Sequence, residues 1–442
     1  MQFYSTKHQS TPANLEEVVM QGLPPDNGLY MPEEIKPMPP GFWQNIDRLS
    51  FPEMSYQLAL QLLQDTIPPQ VLRQIVYDAV NFEAPVVPLT PQLRCLELFH
   101  GPSLAFKDFG ARFMARMMGY FVGQSAQKLY ILVATSGDTG GAVAQGFLNT
   151  PGIEVIILYP GNKISRLQEQ QLTALGGNIT ALEVAGTFDD CQRLVKSAFL
   201  DTGLRSAMRL SSANSINLAR LIPQAFYYIQ AYAQVKNEGR EVVFCVPSGN
   251  FGNLTAGLLA KRMGLPVKHF VAANNANDVF THYHRSGRFE PRPSVKTYSN
   301  AMDVGNPSNL QRIEDLYNHN LSEIRADIAA YSFTDEQTLA AMKEAYAKYG
   351  YIMCPHTAVG YLGIQQYFAD YPDTNTTGIF LGTAHPVKFL DIVEPALHIT
   401  VPVPENLQKL MQQPKQAVAM STQYEDLRLF LLQKNKKDHT TA

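Results

Sequence analysis

Several familiar signatures are missing from these 442 residues. Cysteine pairs are absent: Cys95, Cys191, Cys245 and Cys354 are scattered with no CxxC spacing. Three of them lie in apolar strand-like or helical stretches, so they read as buried, reduced thiols and not as a disulfide framework. No long run of like charge occurs, and the formal net charge is −3, which speaks against a nucleic-acid groove or a membrane-surface patch. No apolar run approaches the ~20 residues of a membrane span. The segment from Met1 to Lys7 has no apolar signal core, so the expected compartment is the cytoplasm. Internal repeats and low-complexity tracts are missing too. No GxGxxG follows a strand, no Lys-Ser/Thr closes a glycine-rich loop, and no GxSxG elbow is present. Dinucleotide binding, nucleoside-triphosphate binding and serine-nucleophile chemistry therefore lose their usual marks. No His, Cys, Asp or Glu set has metal-ligand spacing, and His282 and His284 read as surface histidines.

What is present is a chain long enough for two domains with substantial cores. From Met1 to about Pro88 runs a proline-rich but apolar opening with helical patches at Asn14 to Gln21 and Ser55 to Leu63. A tight loop lies between Gln21 and Tyr30, with Gly28 as the residue free to take a positive φ. From about Leu89 short apolar strands alternate with helices: Lys128 to Ala134, Val155 to Tyr159, Ile179 to Val184, Val242 to Val246 and Phe270 to Ala272. Continuous apolar strands separated by helices predict an α/β, doubly wound parallel sheet covered on both faces. Residues Glu290 to Asn309 read as a surface loop, and Asp335 to Gly350 as a helix ending on glycine.

Ligands in such sheets sit beyond the carboxyl ends of the strands, so the loops there carry the chemistry. In the stretch from His100 to Gly110, Lys107 stands where the alternating segment Cys95 to Phe99 gives way to Phe109, Phe113, Met114, Met117 and Phe121 at helical spacing. The positive end of a helix and the apolar neighbours Leu104, Ala105 and Phe106 both lower the basicity of an amine, which favours Schiff-base chemistry; the plain alternative is a solvated loop lysine. Ala134 to Gly141 crowds Thr135, Ser136, Gly137, Asp138 and Thr139 before a helix, suited to an anion such as a carboxylate or to simple capping. Pro247 to Asn253 opens another helix with Gly249 and Gly252 and no basic residue, which suits a small phosphate held by main-chain donors; the plain alternative is an ordinary αβ turn. Thr383 offers a hydroxyl at a strand end, with His385 beside it. Ser212 to Arg220 sets polar donors, Ser215 and Asn217 among them, about one helical turn before Arg220, able to hold a second anion through the guanidinium; the plain alternative is a capped helix with a solvated arginine.

A Schiff-base lysine, a serine-glycine loop, a glycine-rich phosphate loop and a late hydroxyl, in that order, resemble the pyridoxal-phosphate enzymes of the tryptophan-synthase-β type (fold type II). Phe3 to Thr6, Gln21 to Leu23 with Gly28 to Tyr30, Leu96 to Gly110, Ala134 to Gly140, Ser248 to Gly252 and Gly382 to Pro386 together resemble the threonine synthase family of the long type, as found in enterobacteria and fungi. The likeness runs to about Lys388. It implies two doubly wound parallel-sheet domains with a mostly helical N-terminal extension: extension 1–88, large cofactor domain 89–123 and 222–400, small substrate domain 124–221, and a C-terminal segment 401–442.

The same resemblance implies that Lys107 holds pyridoxal 5'-phosphate and shuttles protons. Ser248, Gly249, Asn250, Phe251 and Gly252 would bind the cofactor phosphate, and Thr383 would face the ring nitrogen. Asp138 would sit near the phenolic oxygen; because two anions repel there, either a proton is shared or Asp138 turns elsewhere. Thr135, Ser136, Gly137 and Thr139 would take the substrate carboxylate, and Ser215, Asn217 and Arg220 the substrate phosphate. The implied reaction converts O-phospho-L-homoserine and water to L-threonine and phosphate, the last step of threonine biosynthesis, in a monomer or homodimer. A dehydratase or β-replacing enzyme acting on serine or threonine would share the lysine but has no use for the long opening segment or Arg220. A silent binding protein of this fold would have no use for Lys107.

Overall fold

Apolar runs without alternation become strands buried on both faces, as in the segment Ile153–Pro160, where every residue is buried. The computed structural model describes residues 1–440 except Ser125, Ala126 and Asn162. In chain order the strands are β1 (Phe3–Ser5), β2 (Tyr30–Pro32), β3 (Val86–Pro88), β4 (Leu93–Glu97), β5 (Leu129–Ala134), β6 (Ile153–Pro160) and β7 (Ile179–Val184). They continue as β8 (Arg209–Ser211), β9 (Glu241–Pro247), β10 (His269–Asn274), β11 (Ile328–Ser332), β12 (Thr376–Gly382) and β13 (Val418–Met420).

One sheet has the order β11-β10-β9-β12-β4-β3, parallel throughout except for the β3–β4 pair. The other has the order β13-β7-β6-β5-β8 and is entirely parallel. The chain therefore starts the larger sheet, leaves it through the helix Lys107–Val122 to build most of the smaller one, and returns at β9. This crossing sets the carboxyl ends of β9 and β12 and the start of the Lys107 helix around one space.

Residues 1–88 are not an independent unit. The helices Phe51–Leu63 and Pro69–Ala79 bury Leu58, Leu62, Leu72 and Val76 in the same apolar core as Phe109 and Phe113 of the Lys107 helix. β1 and β2 form a small antiparallel ribbon. Its anchor is the fully buried Arg312, whose guanidinium donates to Tyr30 O (3.0 Å), Ile216 O (2.7 Å) and Asn309 Oδ1 (2.7 Å). In the loop before β2 the positive φ falls on Gly22 (76°) and Asn27 (59°), not on Gly28 as expected. Asparagine tolerates that region because its short polar side chain bonds locally.

The expected surface loop needs correction. The stretch Glu290 to Asn309 is exposed without a break only from Glu290 to Lys296; beyond it exposed and buried residues are mixed, and Thr297, Ser299, Met302 and Asn309 are buried. The Asn275 carboxamide draws the chain inward by donating to Thr297 Oγ1 (2.8 Å) and Ser299 Oγ (3.0 Å), a long-range pairing that composition does not reveal. The C-terminal segment also belongs to the body of the molecule: β13 pairs with β7, and Leu427 and Leu431 join Cys191 and Leu194 beneath the smaller sheet. A three-residue strand is too short for any periodicity to announce it. The helix Asp335–Tyr349 forms as expected, with a Thr334–Gln337 capping box and Gly350 at φ 64°. All four cysteines are free and buried. Among the described residues no helix is long and apolar enough to cross a membrane.

Candidate active site

Lys107 is the first residue of its helix. Leu104 takes φ 57°, a conformation costly for leucine, which turns the chain so that Ala105 bridges Ala384 and the Phe106 amide donates to Thr383 O at 2.9 Å. Two segments far apart in sequence are thereby stitched beside one another. The lysine faces a cavity of about 170 Å³. Its Nζ has no hydrogen bond or ion pair among the described residues. Burial pulls the amine down to about 8, against the nearby Asp138 carboxylate, with the Arg220 and Lys388 cations adding to the fall.

Across the cavity lies the loop following β9. All of Ser248, Gly249, Asn250, Phe251, Gly252 and Asn253 line it. Phe251 adopts φ 63° and opens the helix Gly252–Arg262, while its ring packs on Phe280 at 4.5 Å. Among the described residues the amides from Gly249 to Asn253 donate to no protein acceptor. Asn253 Nδ2 is buried and unpartnered as well, its Oδ1 being taken by the Tyr227 and Tyr228 hydroxyls at 2.7 and 2.6 Å. Close approach is imposed by glycine: a Cβ at Gly249 would lie 2.7 Å from the Met302 Cα. Ser248 spends its hydroxyl on Val246 O (2.8 Å), so its contribution to the loop is its main chain. A run of free N–H groups lining a cavity at a helix start is an anion cradle.

The side facing the smaller sheet differs from expectation. Asp138 and Thr139 line the cavity, but Thr135, Ser136 and Gly137 do not. Thr135 Oγ1 accepts from the Gly137 and Gly140 amides at 3.0 and 2.9 Å, the capping arrangement, and Ser136 is exposed. Gly137, at φ 135°, has Gln168 in the place of a side chain, its Cδ 2.5 Å from a built Cβ. Asp138 turns its carboxylate to Lys388 Nζ at 2.9 Å and to Gln168 Nε2 at 3.1 Å. Although burial opposes ionisation, Lys388 and then Lys107 hold that carboxyl well below the usual carboxylate range.

Ser215 and Arg220 line the cavity. Asn250 Nδ2 donates to Ser215 Oγ at 3.0 Å. Arg220 donates through one terminal nitrogen to Ala213 O at 2.8 Å, whereas its Nε is buried without a partner. Asn217 is a correction: its Oδ1 caps the helix Leu218–Leu221 by accepting from the Ala219 amide, and its Nδ2 donates to Val19 O, both at 2.9 Å. It serves the N-terminal extension and is not among the lining residues. Thr383 lines the cavity with a hydroxyl that has no protein partner among the described residues. His385 is turned away, its Nδ1 accepting from the Val387 amide at 3.1 Å.

The structure adds residues that sequence reasoning missed. His356, second in the helix Pro355–Asp370, lines the cavity and accepts from the Ala301 amide at 3.1 Å, which puts its proton on Nδ1. Burial lowers it to about 4, so the ring is neutral. Lys388 is hidden in an apolar-looking turn; the one available signal is an acidic residue at 138 that requires a cation.

Comparison with known proteins gives the class first. The pyridoxal-phosphate dependent enzyme family matches residues 91–381, which carry Lys107, Asp138, Arg220 and the loop after β9. Solved structures only 16% and 15% identical, a tomato threonine deaminase and maize serine racemase, share the fold with TM-scores of 0.55 and 0.53. The flanks are narrower in their likeness: the threonine synthase N terminus matches residues 2–80 and the threonine synthase C-terminal model residues 357–430. The threonine synthase of Haemophilus influenzae is 44% identical over 98% of this chain and 100% of its own length. The crystal structure of threonine synthase from Escherichia coli superposes with a TM-score of 0.89 at 41% identity, covering 98% of this chain and 100% of that one. The pyridoxal-phosphate-bound threonine synthase of Brucella melitensis reaches 0.93 at 32% identity, covering 98% and 99%. The chain belongs to the threonine synthase family.

Pyridoxal phosphate fits what the cavity presents. The free amides and the unpartnered Asn253 Nδ2 suit its phosphate, the unpaired amine of Lys107 its aldehyde, and the free Thr383 hydroxyl its ring nitrogen.

Proposed function

We propose that this chain converts O-phospho-L-homoserine and water to L-threonine and phosphate, with Lys107 as the catalytic base. The observation that carries the reading is the meeting, in one cavity, of an unpaired amine of lowered basicity, a run of free amides and an unpartnered arginine Nε. Two separate anion sites suit a phosphorylated cofactor together with a phosphorylated substrate.

Pyridoxal phosphate, when bound, draws electrons away from the carbon that bears the substrate amine. The main chain from Ser248 to Gly252 would hold its phosphate and Thr383 its ring nitrogen. Lys107, its amine free while substrate is bound, would take the Cα proton, pass it on, and take a Cβ proton; one proton goes to Cγ to complete the methyl group, water gives its hydroxide to Cβ and its proton to the departing phosphate, and Lys107 returns a proton to Cα. Arg220 and Ser215 grip the phosphate as it leaves Cγ. Thr139 would receive the carboxylate, while Thr135 and Gly137 fix its loop. The work is on a small molecule, with no nucleic-acid or membrane partner, in the cytoplasm, as a monomer or homodimer. Domain limits at 89–123 with 222–400 and at 124–221 fit this division of labour.

The test mixes purified protein, pyridoxal phosphate and O-phospho-L-homoserine and follows both products, with Lys107→Ala alongside. Equal phosphate and threonine from the parent and neither from the variant is the expected result. Phosphate without threonine would instead define an elimination enzyme.

A further inference from the structure

Asp138 lines the cavity beside Lys107, yet it is ion-paired with a different lysine. Lys388 comes from the turn Pro386–Phe389 that follows β12, and its side chain is fully enclosed. Its Nζ lies 2.9 Å from Asp138 Oδ1 and donates to Ser103 O at 2.8 Å. Gln168 Nε2 donates to the same carboxylate oxygen at 3.1 Å, and the Ser103 amide is itself fixed by Asp108 Oδ2 at 2.8 Å. The pair spans the two sheets, with Lys388 carried by the larger and Asp138 opening a helix of the smaller.

Lys388 Nζ and Gln168 Nε2 both engage Asp138 Oδ1, so much of the carboxylate's charge is met before Lys107 can share it. Without Lys388, the cation left to Asp138 would be Lys107. An opposite charge at that range favours the protonated amine, and a protonated amine cannot add to an aldehyde. The reaction at stake is simple in its balance: the neutral Nζ adds to the aldehyde carbon, a C=N bond forms, and the carbonyl oxygen departs as water with both amine hydrogens. We propose that Lys388 is a positioning residue which, by occupying the Asp138 carboxylate, keeps it from becoming the counter-ion of Lys107 and so leaves the Lys107 amine free to capture its cofactor.

This inference rests on the reading of Lys107 as the cofactor-holding lysine. The remaining charged or titratable groups facing Lys107 do not replace either partner. Arg220 is a cation on the short helix Leu218–Leu221, His356 is neutral on the helix Pro355–Asp370, and Asp108, on the lysine's own helix, is directed to the Ser103 amide. Asp138 is the carboxylate that pulls the Lys107 amine upward, and Lys388 is among the cations that push it down.

The experiment uses the full-length chain stripped of cofactor and offered pyridoxal phosphate over a range of pH, with borohydride trapping and location of the modified lysine by peptide mass. In Lys388→Met the pH midpoint for capture at Lys107 should rise by about one unit, so that capture below the midpoint slows about tenfold. The double variant Asp138→Asn/Lys388→Met should return the midpoint to the parent value or below it, because no carboxylate remains. Asp138→Asn alone should lower it, which keeps the question decidable if Lys388→Met does not fold. A merely structural role would lower the melting temperature and leave these midpoints where they were. An unmoved midpoint in Lys388→Met or Asp138→Asn, with the parent still captured at Lys107, would overturn this inference alone. A parent protein modified at some other lysine would overturn the assignment of Lys107 and this inference with it.

Discussion

The loop from Ser248 to Asn253 and the segment from Ser212 to Arg220 look alike on paper, since each follows a strand, is rich in polar residues and opens a helix. They behave differently. Every residue of the first lines the cavity, and the donors that it offers are mainly main-chain amides. In the second only Ser215 and Arg220 reach the cavity, while Asn217 turns to Val19 of the N-terminal extension. Amide directions follow from φ and ψ, so a main-chain site is shared by the whole loop once one turn, here Phe251 at φ 63°, is set. A side-chain site is decided residue by residue, by whatever other acceptor lies within reach.

The largest effect is expected at the side-chain site. Arg220→Ala removes a buried guanidinium whose Nε is unpartnered, and kcat/KM for O-phospho-L-homoserine should fall by about a hundredfold or more. Cofactor affinity, measured by titration with pyridoxal phosphate, should move far less. Equal losses in both would place Arg220 on the cofactor's side of the cavity and erase the distinction between the two regions.

Gly249→Ala probes the main-chain site. The added Cβ would sit 2.7 Å from the Met302 Cα, a backbone atom that cannot swing aside as a side-chain tip could. Either the cradle or the turn Asn300–Met302 must shift, at a cost of about 1–3 kcal/mol, which corresponds to roughly five- to 150-fold in pyridoxal phosphate affinity. An affinity that does not change would show slack in the loop, and its amides would then be less exactingly placed than their geometry implies.

The same contrast separates what is legible in the sequence from what is not. The parallel sheets, the Lys107 helix start and the loop at Ser248 are legible because each is local: apolar runs mark strands, and glycine and serine before a helix mark an amide cradle. Lys388 and β13 are not, since each acts through a partner more than two hundred residues away, Asp138 for Lys388 and β7 for β13; nor is His356, whose place is set by the Ala301 amide on a separate loop. Thr135 misleads for a related reason. A hydroxyl before a helix suits an anion and a cap equally, and the Gly137 and Gly140 amides are closer competitors than any ligand.

Asn217→Ala gives the smallest effect and separates these alternatives most cleanly. Its carboxamide caps the helix Leu218–Leu221 and satisfies Val19 O, so truncation removes a cap and leaves a buried carbonyl unpaired. Each loss is worth about 1 kcal/mol or somewhat more, and urea unfolding should register a destabilisation of about 2 kcal/mol. Turnover per folded molecule should stay near the parent value, because Arg220 keeps its hold on Ala213 O through its own terminal nitrogen. If stability held while kcat/KM collapsed, Asn217 would belong with Arg220 on the substrate, and the division between the two segments would have to be redrawn with the N-terminal extension as part of the site.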